Sequence, residues 1–236
     1  MYLFQRTKMP LLAISLCAVS ACSGAEQIAP AGDGEYVVAS QYSQEISDLA
    51  AREEVKAALA HIIAIEPRSI ADLIELTEIP APPFAEGLRA ARFAELLQEA
   101  GLTDVTTDDV GNVIGRRHGR TGDRTIAYTA HLDTVFPEGT DVTVRIEGDT
   151  LRAPGIGDNT RGLVLILGVL RAMQDAGIQT EADILFVGNV GEEGLGDLRG
   201  VKHLFRDGGP KIDTMIAVDG GESSRLIYGG VGSHHW

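Results

Sequence analysis

One histidine and five carboxylates supply most of the donors of a site for two divalent metals: His131, Asp133, Asp158, the adjacent pair Glu192 and Glu193, and Asp219. Imidazole and carboxylate donors without a thiolate suit Zn, Co or Mn, with Zn ahead. His131 and Asp133 stand two residues apart, so in an extended backbone they point to the same side. A carboxylate there commonly fixes the orientation of a metal-bound ring. Glu192 and Glu193 point differently, so one can bind a metal while the other acts on water as a general base. Asp158 can bridge two ions about 3.5–4 Å apart, as two-metal hydrolases require.

Taken singly, each residue has a plainer explanation. Asp158 could cap a helix, Glu192 and Glu193 could sit in a solvated loop, and Asp219 before Gly220-Gly221 could belong to a turn. The elements around them argue otherwise. Apolar runs at 125–130, 182–190 and 214–218 read as strands, and they lead into His131, Glu192 and Asp219 respectively. Asp158 instead opens a buried helix over 163–176, with Asn159 and Thr160 placed to cap it. In an open α/β sheet the ligand site lies beyond the carboxyl ends of the strands, so all six residues converge on one edge.

The rest of the chain fits that scaffold. Helical periodicity covers 43–65 and 69–78, the latter ending before Pro80, Pro82 and Pro83. A third helix covers 86–100 and closes at Gly101. Strands follow at 105–109 and 112–117, a hairpin at 142–146 and 150–152 turns on Gly148-Asp149, and a helix at 198–205 precedes the strands at 214–218 and 225–228. Alternating strands and helices, with strands apolar on both faces, predict an α/β fold with a mostly parallel sheet flanked by helices.

The first residues read as an export signal: basic Arg6 and Lys8, an apolar run from Leu11 to Val19, then small residues before Cys22. Cys22 after Val-Ser-Ala fits a lipoprotein cleavage box, so Cys22 is the expected lipidation site. The expected location is the periplasmic side of a bacterial cell envelope, with membrane contact through the lipid anchor only. Residues 1–21 would be the signal, 22–43 a tether, and 44–236 the folded part. Cys17 would leave with the signal and Cys22 carry lipid, so no disulfide is expected. The formal charge of −14 argues against nucleic acid as a partner, since that needs a basic face.

Three motifs then identify a family. Thr129 to Val135 (Thr-Ala-His-Leu-Asp-Thr-Val), Gly155 to Gly162 and Gly191 to Gly196 resemble the di-zinc metallopeptidases and amidohydrolases. That family includes glutamate carboxypeptidase, peptidase T, acetylornithine deacetylase and succinyl-diaminopimelate desuccinylase. The resemblance runs from about Leu59 to Trp236 and takes in the segments Glu78 to Phe84 and Asp109 to Asn112. It implies a zinc-peptidase-like catalytic domain and two zinc ions. His131, Asp158 and Asp219 would hold the first ion, with Asp158 also bridging to a second held by Glu193. Asp133 would orient His131, Glu192 would be the general base, and the Asp158–Asn159 peptide would be cis. The substrate would be a peptide or an N-acyl amino acid, with peptides favoured by the likeness of 191–205 to the peptidase T branch.

The family pattern continues with a lid and dimerisation domain and then a second metal-binding His. On that pattern, 44–236 is expected to be the N-terminal part of a catalytic domain, and a longer form would be a homodimer. His234 and His235 follow the wrong element to replace the second His. The alternative reading is therefore an inactive or degenerate metal-binding lipoprotein fragment.

Overall fold

The computed structural model describes residues 38–220. The signal, Cys22, the strand expected at 225–228 and both His234 and His235 lie outside the described residues. Three helices come first: α1 (Ser40–Ala51), α2 (Glu53–Ala64) and α3 (Glu66–Thr77). The single helix expected over 43–65 is thus two, broken where Arg52 is extended (φ −65, ψ 138). Pro67 starts α3, where its missing N–H costs nothing. Next is α4 (Gly87–Glu99), ended by Gly101 at φ +99, a conformation glycine accepts at a helix C-terminus.

The strands β1 (Asp104–Thr107), β2 (Val113–Arg117) and β3 (Thr125–His131) precede a small hairpin of β4 (Arg145–Glu147) and β5 (Thr150–Arg152). After α5 (Arg161–Asp175) come β6 (Asp183–Asn189), α6 (Arg199–Leu204) and β7 (Thr214–Ala217). The main sheet has the order β1-β2-β6-β3-β7.

The sheet is mixed, which corrects the expectation of a mostly parallel one. β6, β3 and β7 run parallel, but β2 pairs antiparallel with both β1 and β6. The cause is the short Asp108–Asn112 turn. A connection that short can only reverse direction, whereas a parallel partner needs a long crossover. Asp108 builds the turn by accepting the N–H groups of Val110, Gly111 and Asn112 on one carboxylate oxygen.

Both faces of the sheet are covered, which explains the unbroken apolar run in β6. Ile184 and Phe186 face a core built with Phe93, Leu96 and Leu97 of α4 and Leu163, Ile166, Leu167 and Leu170 of α5. Leu185 and Val187 face the other way, against Ala127 and Leu204 of α6. Each fully buried side chain of this kind contributes about 1.5–3 kcal/mol. The parallel register sets His131 opposite Asn189 and Thr129 opposite Ala217. Three strand ends therefore finish level at the edge where the candidate residues lie.

Candidate metal centre

His131 ends β3 and is buried. Its Nδ1 donates to the backbone carbonyl of Asp133 at 2.9 Å, which fixes the ring and turns Nε2 towards the opening. Nε2 stands 2.9 Å from Asp158 Oδ1 and 3.5 Å from Asp219 Oδ1. Glu193 joins them: His131, Asp158 and Glu193 each bring a donor atom within 4.8 Å of one another. The structure thus gathers the four expected ligands at one place, with Glu193 grouped beside His131 and Asp158.

Asp133 is fully buried, but its carboxylate works differently from a simple ring orienter. Oδ1 lies 3.6 Å from His131 Nδ1, farther than the carbonyl of the same residue. The two carboxylate oxygens instead accept the N–H groups of Glu192 at 3.0 Å and Glu193 at 2.9 Å. Asp133 is therefore the clasp between the β3 end and the loop after β6.

That loop is held at every step. The Val190 N–H goes to Asn112 Oδ1 at 3.0 Å and the Gly191 N–H to Glu86 Oε1 at 3.1 Å. Four consecutive amides, Val190 to Glu193, are each received by a buried side chain from another segment. Glu86 also accepts Arg199 Nη2 on both oxygens, at 2.7 and 2.8 Å. Asn112 spends its amide N–H groups on Asp108 and on the Gly200 carbonyl.

A second clip sets Asp158 against Asp219. The Asp158–Asn159 peptide is cis, as the resemblance implies. Asn159 and Thr160 do not cap α5. Asn159 Nδ2 donates to the Val218 carbonyl at 2.8 Å, and Thr160 Oγ1 to Gly155 O at 3.0 Å. Gly162 makes room: a Cβ there would stand 2.1 Å from Asn159 Oδ1. Val218 directly precedes Asp219, so this bond fixes the spacing of two candidate ligands.

Arg89 lies behind the site, buried without a carboxylate at hydrogen-bond distance. Its guanidinium donates to the carbonyls of Leu132 (2.8 Å), Ile79 (2.6 and 3.0 Å) and Thr77 (3.4 Å). Burial lowers its pKa to about 10, against a raising effect from the Asp133 charge. Glu86, Arg89, Asn112 and Arg199 were absent from the sequence-based candidates. For Arg89 a signal existed, since its spacing to Phe93, Leu96 and Leu97 places it on the core stripe of α4.

The electrostatics follow from burial and from the crowding of carboxylates around His131. Burial opposes charge on His131, but Asp133 and Asp219 outweigh it and raise its pKa to about 10. Glu192 is raised by burial and by the charges of Asp219, Asp133 and Asp158. Glu193 is raised by burial and by Glu192 and Asp158. Asp219 is lowered chiefly by its contact with His131. A buried imidazole nitrogen facing several crowded carboxylates fits a divalent cation by donor type and by charge. A cavity of about 170 Å³, lined among others by His131, Glu192 and Asp219, opens at this edge.

Residues 127–234 match the model of peptidase family M20/M25/M40, so this stretch of the chain is similar to that family. All six sequence-predicted residues fall inside it. The chain is 32% identical over 118 residues to carboxypeptidase G2 of a Pseudomonas species, covering 46% of this chain and 28% of that protein. It is 38% identical over 123 residues to a LysW-lysine/LysW-ornithine hydrolase of Pyrococcus abyssi, covering 52% of this chain and 33% of that protein. The match therefore spans about a third of each of these relatives. Among solved structures, a Staphylococcus aureus tripeptidase superposes with a TM-score of 0.56 at 24% identity, over 66% of this chain and 44% of that one. The dipeptidase Dug1p of Saccharomyces cerevisiae gives 0.57 at 16%, over 70% and 40%. At these identities the structural likeness establishes the fold.

Proposed function

We propose that this chain carries the metal-dependent hydrolysis of an amide bond, in peptides ahead of N-acyl amino acids, with zinc as the metal. The observation that carries the reading is the buried His131 Nε2 facing Asp158 and Asp219, with Glu192 beside them and raised in pKa. His131, Asp158, Asp219 and Glu193 would hold metal, with two ions in the complete site. A bound divalent cation supplies Lewis-acid polarisation of a carbonyl and lowers the pKa of water.

The chain's own residues supply the remaining steps. Asp133 O fixes the His131 ring, and the Asp133 carboxylate sets the height of the Glu192–Glu193 loop. The raised pKa of Glu192 suits a general base that accepts a proton from the attacking water and returns it to the leaving amine. We further propose envelope localisation by a lipid on Cys22, on the signal-like character of residues 1–21. Cys22→Ser is expected to move the protein from the membrane to the soluble fraction. Retention in the membrane fraction would count against the anchor.

The test of the activity pairs metal analysis with hydrolysis of dipeptides and N-acetyl amino acids. Glu192→Gln is expected to keep its metal and lose about 10²–10⁴ of the turnover rate. Stoichiometric metal with no hydrolysis by the wild-type protein would remove the proposal.

A further inference from the structure

Pro82 to Ala85 form a tight turn, closed by the Ala85 N–H on Pro82 O at 2.9 Å. Phe84 occupies its third position at φ +71, where turn geometry calls for glycine. A bulky residue held in this region is a true outlier, and such outliers cluster at functional sites. The ring is 67% exposed, so burial of apolar surface does not explain the choice. It is nevertheless held firmly. The Arg199 guanidinium carbon lies 4.5 Å from the ring centroid, and Arg199 is pinned in turn by both oxygens of the buried Glu86.

The ring borders a cavity of about 290 Å³ lined by Pro83, Phe84, Val135, Glu193, Gly194 and Leu195. Leu195 is 90% exposed and Val135 62%. Glu193 belongs to both this cavity and the candidate metal cluster. The cavity therefore shares a wall with the candidate metal cluster, within reach of a group next to a carbonyl held there. No Lys or Arg is among its lining residues, so an acidic side chain would find no cationic partner there.

We infer that Phe84 is a specificity-determining residue, forming with Val135 and Leu195 a subsite for an apolar side chain next to the scissile amide. The inference rests on the amide-hydrolase reading above. Its test is kcat/KM of the zinc-loaded protein on dipeptides and N-acetyl amides that carry Ala, Leu, Phe, Glu or Lys beside the scissile bond. The wild-type protein should favour Leu or Phe over Ala and Glu by about 10-fold or more. Phe84→Gly suits the turn, so metal stoichiometry and the urea midpoint should hold while the preference falls to about 2-fold. Leu195→Ala, at an exposed position, should reduce it part of the way.

An unchanged preference in both variants overturns the inference while leaving amide hydrolysis intact. So does a wild-type protein that does not discriminate. Sedimentation showing a wild-type dimer that Phe84→Gly dissociates, with preference unchanged, would reassign the patch to a second copy of the chain. Bound metal with no turnover of any substrate removes the amide-hydrolase reading and this inference with it.

Discussion

The Glu193 N–H donates to Asp133 Oδ2 at 2.9 Å, and this bond ties the strand that carries His131 to the loop that carries the candidate base. With the Glu192 N–H on Oδ1, the Asp133 carboxylate is filled by backbone donors.

Asp133→Asn should therefore do more than remove a charge. An amide offers one acceptor oxygen, so one of the two N–H groups loses its partner. The expected cost is about 1–3 kcal/mol in urea unfolding. Metal affinity should weaken about 10–100-fold by competition with a chromophoric chelator. Affinity unchanged within about twofold would show that the carboxylate does not shape the centre.

The pH dependence of metal uptake follows from His131. Its pKa is raised from 6.5 to about 10 in the metal-free protein. Its charge therefore contributes stability that is complete below pH 6.5 and is lost as pH rises through about 10. Metal must displace that proton from Nε2. Uptake near neutral pH should release about one proton from His131, and affinity should climb with pH. Calorimetry in buffers of different ionisation enthalpy measures the release. No buffer dependence would contradict this account of the ring.

Arg89 gives a prediction about stability. Arg89→Met leaves the carbonyls of Leu132 and Ile79 without their donor, at about 1–3 kcal/mol each. Arg89→Lys should recover only part of this, because an ammonium cannot reproduce the planar fork. Urea unfolding of the two variants decides the matter, and a Lys variant as stable as wild type would rule out the fork geometry.

The strand ends and their residues were legible because apolar runs of strand length point to one edge of a sheet. The supporting shell was legible only in part. Glu86 and Arg199 read as surface charges on helix ends, since nothing local shows that each is the other's partner 113 residues away. Asn112 could be read as a turn residue, but its bond to Val190 depends on the pairing of β2 with β6. The reversal of β2 was hidden because its apolar pattern is compatible with either direction. The turn length was the stronger clue. Arg52 breaks a continuous helical periodicity and carries no glycine or proline signal.

The ladder of amides from Val190 to Glu193 has one more consequence. Enzymes that attack carbonyls often steady the oxyanion with backbone N–H groups. Here the loop nearest the candidate base has spent all four of its N–H groups on Asn112, Glu86 and Asp133. These four N–H groups are therefore not free to steady an oxyanion. On the proposed reading, charge developing on a substrate oxygen would be met by the cation that His131 and its carboxylates would hold.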